Sequence, residues 1–228
     1  MSKINIISLK NIEKSFGKNT VLNGITCEIK KGEVVGIEGE SGAGKTTLLK
    51  ILVGYLDFDK GKISYTLKKK AYDLEELKKF AEFYSSVGFS NQECSFYDHL
   101  DVEENLSFYG AMYKLKKEEV DKRIKELLPL VNLTGKETIL AGNLSAGMQK
   151  RLDLACALIH EPKIIFLDEP TAHLDEKNRR DIWKLIQKLN KRGITAVVTS
   201  HFSKDLKRYC NRNYTIKKGK LRCGNYSN

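Results

Sequence analysis

The chain is poor in the residues that make linkers, staples and membrane spans. Its 228 residues include only three prolines and no Pro-rich, Gly/Ser-rich or low-complexity stretch, which argues against two domains joined by a linker. No segment recurs at a fixed period, which excludes a solenoid or propeller. No apolar run approaches the roughly 18–20 residues that cross a bilayer. Met1 to Lys10 alternate polar and apolar residues with no continuous apolar core, so no signal peptide is read there and a cytosolic protein is expected. The five cysteines (Cys27, Cys94, Cys156, Cys210, Cys223) are odd in number and form no C-x-x-C pair. A disulfide framework or zinc site is therefore not expected, and reduced thiols are. Acidic residues are also in short supply: 29 Asp and Glu against 40 Lys and Arg leave a formal net charge of +11. The basic residues gather at Lys68-Lys69-Lys70, between Lys114 and Lys125, and from Lys204 to Arg222, never as a continuous block. Charge alone leaves three readings open: a solvated lysine-rich surface, an anionic membrane partner, or nucleic acid.

What is present suits one folded domain, residues 1–228. Hydrophobic residues at 41% and charged residues at 30% are the mix of a globular chain with a full core. Period-two alternation predicts strands at 4–9 and 20–29, and a strand at 33–37 runs straight into a glycine loop. A helix is predicted at 46–53, with Leu48, Leu49, Leu52 and Val53 at helical spacing and Gly54 ending it. Further helices are predicted at 74–84, 102–113, 118–131, 145–159 and 177–190. Buried strands are predicted at 163–167 and 194–200, and a final pair at 212–217 and 220–223 turning at Lys218-Gly219. Short apolar strands alternating with helices indicate an α/β fold with a parallel sheet. Residues 95–155 read as a helical insertion between two sheet strands.

Two segments carry chemistry on their own residues. Gly39-Glu40-Ser41-Gly42-Ala43-Gly44-Lys45-Thr46 fits the phosphate-loop pattern G-x-x-x-x-G-K-[ST] and lies between a strand and a helix, the context that makes the pattern specific. Gly39, Gly42 and Gly44 let backbone N–H groups converge on phosphate oxygens, and the helix N-terminus adds partial positive charge. Lys45 is placed to bridge the β- and γ-phosphates of ATP, Thr46 to ligate Mg²⁺, and Thr47 to contact the α-phosphate. The second segment, Ile164-Ile165-Phe166-Leu167-Asp168-Glu169, is an apolar strand ending in two carboxylates, at the sheet edge where open α/β sheets bind ligands. Asp168 is expected to hold Mg²⁺ and Glu169 to polarise an attacking water.

With a third segment, Leu144-Ser145-Ala146-Gly147-Met148-Gln149, the chain resembles the nucleotide-binding subunit of an ATP-binding cassette (ABC) transporter over essentially its whole length. That segment is similar to the family signature LSGGQ. Ser145 can cap the following helix, and Gly147 at the helix start completes an anion site. The resemblance implies a P-loop core with a parallel sheet, an N-terminal antiparallel β subdomain and a helical insertion. It also implies that the signature binds the γ-phosphate held by a second copy, so that two ATP molecules are sandwiched in a homodimer or heterodimer. Ser90-Asn91-Gln92-Glu93 resembles the Q-loop, which implies that Gln92 meets Mg²⁺ and the attacking water. Thr199-Ser200-His201 resembles the switch segment, with His201 at the γ-phosphate. Ala172-His173-Leu174-Asp175 resembles the D-loop, and Phe16 the aromatic residue that stacks on adenine. Ala146, Ala172, His173 and Cys156 depart from the family pattern.

The function implied is an ATPase that drives transport through a separate membrane-spanning permease, from a peripheral position on the cytoplasmic side of the cell membrane. Val102-Glu103-Glu104-Asn105-Leu106-Ser107-Phe108-Tyr109, and Leu174-Asp175 followed by Arg179-Arg180-Asp181-Ile182-Trp183, are similar to the ABC-2-type export branch, so export is expected over import. Two alternatives stand beside it: an ABC ATPase acting on nucleic acid or ribosomes, and a cassette that signals through a membrane partner. Tandem cassettes, coiled coils and zinc insertions are absent, which argues against nucleic acid.

Overall fold

The computed structural model describes residues 4–67 and 70–224. The N-terminal alternation produces two long antiparallel strands, β1 (Asn5–Phe16) and β2 (Asn19–Lys30). Both outrun the ranges read from the sequence, because register shifts interrupt the period-two pattern. Asn11 takes a left-handed conformation (φ 51°) and its N–H is satisfied by the Thr26 hydroxyl at 2.9 Å. The next strand, β3 (Val34–Glu38), leads through the glycine loop into helix α1 (Lys45–Leu52). Strands β4 (Lys60–Leu67) and β5 (Lys70–Asp73) then complete a four-stranded antiparallel sheet in the order β2-β1-β4-β5. Neither was expected, since lysines hide their alternation. Lys68 and Lys69 of the first basic cluster lie outside the described residues, as do Met1 to Lys3.

The single helix expected at 74–84 is two short ones, α2 (Leu74–Leu77) and α3 (Ala81–Ser86). Asp73 caps the first, and extended backbone at Phe80 separates them. The break lets Phe83 bury fully, edge-on to Tyr65 at 5.2 Å. Strand β6 (Val87–Ser90) follows, and then the helical insertion: α4 (Val102–Met112), α5 (Lys117–Leu130) and α6 (Ala146–Leu158). Asp101 and Glu104 form a capping box at the start of α4. The remaining elements are β7 (Ile164–Leu167), α7 (Glu176–Lys191), β8 (Thr195–Ser200), α8 (Ser203–Tyr209), β9 (Arg212–Lys217) and β10 (Lys220–Cys223). Helix α8 was not foreseen.

The second sheet has the order β10-β9-β3-β8-β7-β6, parallel from β9 to β6 with β10 antiparallel at the edge. Its central strands are buried on both faces, which is why they read as unbroken apolar runs. Ile164 and Phe166 pack toward α1 and the antiparallel sheet, whereas Ile165 and Leu167 pack toward α6 and α7. Helix α7 buries Ile182, Trp183, Leu185, Ile186 and Leu189 along one stripe, with Trp183 stacked on Tyr209. Cys156, a departure from the family pattern, is a buried apolar residue of the α6 core, and burial pushes its thiol pKa well up. Among the described residues no helix is long and apolar enough to cross a membrane. The parallel order places the C-terminal ends of β3, β7 and β8 side by side, which sets the position of the site.

Candidate functional site

The glycine loop leaves β3 and enters α1 in a close-fitting path. Gly44 is the N-cap of α1 with φ 102°, and a Cβ there would stand 2.9 Å from Leu22 Cδ2. A Cβ at Gly39 would stand 2.6 Å from Ile216 Cγ2. Both positions therefore need glycine, one for conformation and one for close approach. The Ala43 N–H donates to the Glu40 carbonyl at 3.1 Å and closes the loop. Lys45 is only 7% exposed. Its ammonium donates to the Gly39 carbonyl at 2.8 Å and the Glu40 carbonyl at 3.2 Å, and meets Glu169 Oε1 at 3.2 Å.

The end of β7 supplies the carboxylates. Asp168 is fully buried, its N–H donating to the Ser90 carbonyl at 2.9 Å. Its Oδ1 accepts the Thr199 hydroxyl at 2.6 Å, while Oδ2 is buried with no hydrogen-bond partner. Glu169 takes a left-handed backbone conformation (φ 48°), which costs about 1–3 kcal/mol for a non-glycine residue. Its N–H donates to the same Thr199 hydroxyl at 2.9 Å. Glu169 Oε2 accepts the His201 backbone N–H at 3.2 Å and lies 2.9 Å from His201 Nδ1. One hydroxyl thus orients both acids. Thr199 was not among the expected site residues. Its only sequence signal was a hydroxyl-bearing β-branched residue at the end of a buried strand.

These groups open onto a cavity of about 590 Å³. Of the expected residues, Ser41, Gly42, Gly44, Lys45, Thr46, Thr47, Gln92, Glu169 and His201 line it. Val21, Ala172 and His173 line it as well and were not expected there. Asp168 sits beneath it through Thr199 and Glu169.

Gly39, Glu40 and Ala43 belong to the glycine loop but are not on the cavity wall, and four more expected residues lie elsewhere. Phe16 is 51% exposed at the end of β1, with Lys14 Nζ 5.4 Å above its ring. Ser145 caps α6, accepting the Met148 N–H at 3.4 Å. Asp175 caps α7, accepting the Asn178 backbone N–H at 2.9 Å and its side-chain amide at 2.5 Å. These bonds from Asn178 hold the Asp175 pKa below the usual carboxylate range. Gly147 is buried at the start of α6, where a Cβ would collide with the Asn178 amide. Asn178 therefore links Asp175 to Gly147, and Ser145 lies two residues before Gly147 at the same helix start. Ala146 is exposed, so its methyl replaces hydrogen without displacing anything in the chain.

The cavity suits a phosphate-bearing ligand: backbone donors at a helix start, one buried cation, and two acids at a strand end. The orphaned Asp168 Oδ2 beneath the cavity, and the Thr46 hydroxyl and Gln92 side-chain carbonyl on its wall, are oxygen donors of the kind hard divalent cations take.

Comparison with known proteins agrees with that chemistry. Residues 22–172 match the ABC transporter family. The chain is 38% identical over 210 residues to the methionine import ATP-binding protein MetN of Clostridium tetani, covering 91% of this chain and 65% of that protein. It is 35% identical over 218 residues to the Nod factor export ATP-binding protein I of Burkholderia lata, covering 94% and 68%. It therefore spans about two thirds of the length of these relatives. Its fold superposes with a TM-score of 0.81 on the ATP-binding cassette MJ0796, solved as a dimer in a post-hydrolysis state bound to ADP and Pi. That match has 31% identity and covers 96% of this chain and 97% of the other.

Proposed function

This chain belongs to the ABC transporter family of ATP-binding ATPase domains, and on that premise we propose that it energises transport, in the export direction, through a separate membrane-spanning permease. The observation that carries the mechanism is Glu169 held between Lys45 and His201 on the cavity wall beside the glycine loop.

The loop amides and Lys45 bind the β- and γ-phosphates of ATP, and phosphate oxygens take over the ammonium that Glu169 now neutralises. Glu169, released from Lys45, is the group that accepts a proton from the attacking water. His201, already bonded to Glu169, contacts the γ-phosphate and holds the carboxylate in place. Thr199 keeps Asp168 and Glu169 in register with each other. Thr46, Asp168 and Gln92 would hold a magnesium ion, which when bound offsets charge on the transferring phosphoryl group. Thr47 reaches the α-phosphate and Phe16 offers its exposed ring to the adenine base.

Ser145, Gly147 and Asp175 stand apart from this cavity, which supports a composite site completed by a second nucleotide-binding subunit. Two cassettes would close over two ATP molecules and reopen after hydrolysis, ATP binding the closed state better than the open one. That the similar cassette MJ0796 was solved as a dimer bound to ADP and Pi supports pairing of two cassettes.

A membrane partner has a surface to meet. Tyr97, on the segment after Gln92, is exposed and edge-on to exposed Phe108 at 4.8 Å, Met112 is exposed further along α4, and exposed Tyr55 packs on Phe89 at 5.7 Å. Exposed apolar clusters of this kind mark protein contacts. On this reading the chain works at the inner face of the cell membrane. Relatives named for import and for export are both present. The export reading rests on the helix-surface similarity in 102–109 and 179–183. Co-purification from membranes followed by reconstitution into vesicles tests it: ATP-dependent movement of substrate out of the compartment bearing the cassette is the expected result, and movement toward the cassette overturns it.

A further inference from the structure

The loop that carries Gln92 is fastened to helix α6 by a pair of charges with no role in the chemistry above. Lys150 is 5% exposed and Asp153 is 2% exposed. They lie one turn apart on α6 and pair at 3.0 Å. Asp153 Oδ2 accepts the Ser90 hydroxyl at 2.5 Å, and Oδ1 accepts the Ser95 N–H at 3.0 Å. Lys150 Nζ donates to the Asn91 carbonyl at 2.7 Å. The loop is thus held at 90, 91 and 95, on both sides of Gln92. Gln92 itself is exposed on the cavity wall, and its N–H bonds only the neighbouring Asn91 side chain.

A buried ion pair is weak as a stabilising device, since an apolar pair of similar volume serves the core equally well. What an apolar pair cannot supply is the three bonds to the loop. The same helix begins at the signature: Ser145 caps it and Gly147 lies in its first turn. Lys150 is five residues beyond Ser145, about 7 Å along the axis. The helix therefore has the signature at its tip and the Gln92 loop bolted to its second turn.

We propose that Lys150 and Asp153 are positioning residues that make the signature end of α6 and the Gln92 loop move as one piece, so that ATP engaged at the signature in one composite site sets the position of Gln92 in the other. This rests on the two-site reading above.

The test compares Lys150→Met/Asp153→Leu, which removes both charges together, with Ser90→Ala, which removes one loop bond and leaves the ion pair intact, and with Lys150→Arg as the conservative control. The measurements are thermal midpoint, ATP affinity in EDTA, steady-state kinetics with Mg-ATP, and amide exchange over residues 91–95. The proposal expects the double variant to keep its fold and ATP affinity while kcat falls about tenfold with KM nearly unchanged, the pattern of a misplaced group. Its Hill coefficient for ATP falls to about one, and the amides of 91–95 exchange faster and gain no protection from Mg-ATP. Ser90→Ala moves the same way by a smaller factor, and Lys150→Arg stays near native. If the double variant does not fold, Ser90→Ala decides alone. Native kcat, Hill coefficient and loop exchange in the folded variants overturn this proposal only. A native protein with no ATP turnover overturns the ATPase reading and this proposal with it.

Discussion

Lys45 and Glu169 form a buried ion pair in the wall of the cavity, Nζ to Oε1 at 3.2 Å, each 7% exposed. The cation suited to phosphate is held by the carboxylate suited to activate water. On the proposed mechanism, phosphate oxygens displace Glu169 from Lys45, so occupying the site and freeing the base are one event.

Lys45→Ala removes the cation from both partners. A charge-assisted phosphate contact of this kind is worth about 1.5–3 kcal/mol, so ATP affinity is expected to fall at least about tenfold. Equilibrium titration with a fluorescent ATP analogue reads this, and unchanged affinity would remove Lys45 from the site.

Thr199→Val keeps the shape of the side chain and deletes the hydroxyl shared by Asp168 and the Glu169 N–H. Two buried polar groups are left unsatisfied, a loss of about 1–3 kcal/mol each. Chemical denaturation is expected to register the loss, and kcat is expected to fall more than KM rises. Native kcat would mean that Thr199 orients neither acid.

His160 gives a pH dependence of known sign. It is 8% exposed, stacked on Tyr113 at 3.6 Å, and its Nε2–H donates to the Val87 carbonyl at 3.0 Å. Burial pushes its pKa down from 6.5 to about 4, against the opposing pull of the Val87 bond. Between those values the unfolded chain binds the proton and the folded chain does not. The contribution is therefore fully present above pH 6.5 and is lost as pH falls toward 4, by up to about 3 kcal/mol. Denaturation at a series of pH values should show that slope in the native protein and a flatter one in His160→Phe.

Gly147 and Ala146 separate packing from ligand contact in the signature. Gly147→Ala drives a methyl into the Asn178 amide and is expected to destabilise the fold by about 1–3 kcal/mol, seen as a lower thermal midpoint without nucleotide. Ala146→Gly, at an exposed position in the first turn of α6, is expected to shift the midpoint by less than about 1 kcal/mol equivalent. A fall of equal size in both would contradict the packing account of Gly147.

The parts of the fold legible from the sequence were those that local pattern determines. The strand, glycine loop and helix around Lys45 are contiguous, and Asp168-Glu169 follows an apolar run that only a doubly covered strand explains. Strands β4 and β5 were missed because lysine occupies so many of their positions. The break at Phe80 was missed because the pull on Phe83 comes from Tyr65, distant in sequence. Thr199 and the pair Lys150–Asp153 were missed for a related reason. Their partners lie 31 and 30 residues away for Thr199, and 58 to 63 away for Lys150 and Asp153. Nothing local distinguishes a buried anchoring charge from a solvated one. The separation of Ser145, Gly147 and Asp175 from the cavity was legible only through the family resemblance.

The central claim is that Glu169 activates the water in a site that a second copy completes. The most direct measurement is the mass in solution of Glu169→Gln with and without Mg-ATP, by light scattering on a sizing column, alongside its turnover. The account predicts ATP binding at native affinity, turnover lowered at least about a hundredfold, and conversion from monomer to dimer when ATP is added. ATP-bound monomer throughout, or turnover at the native rate, would contradict it.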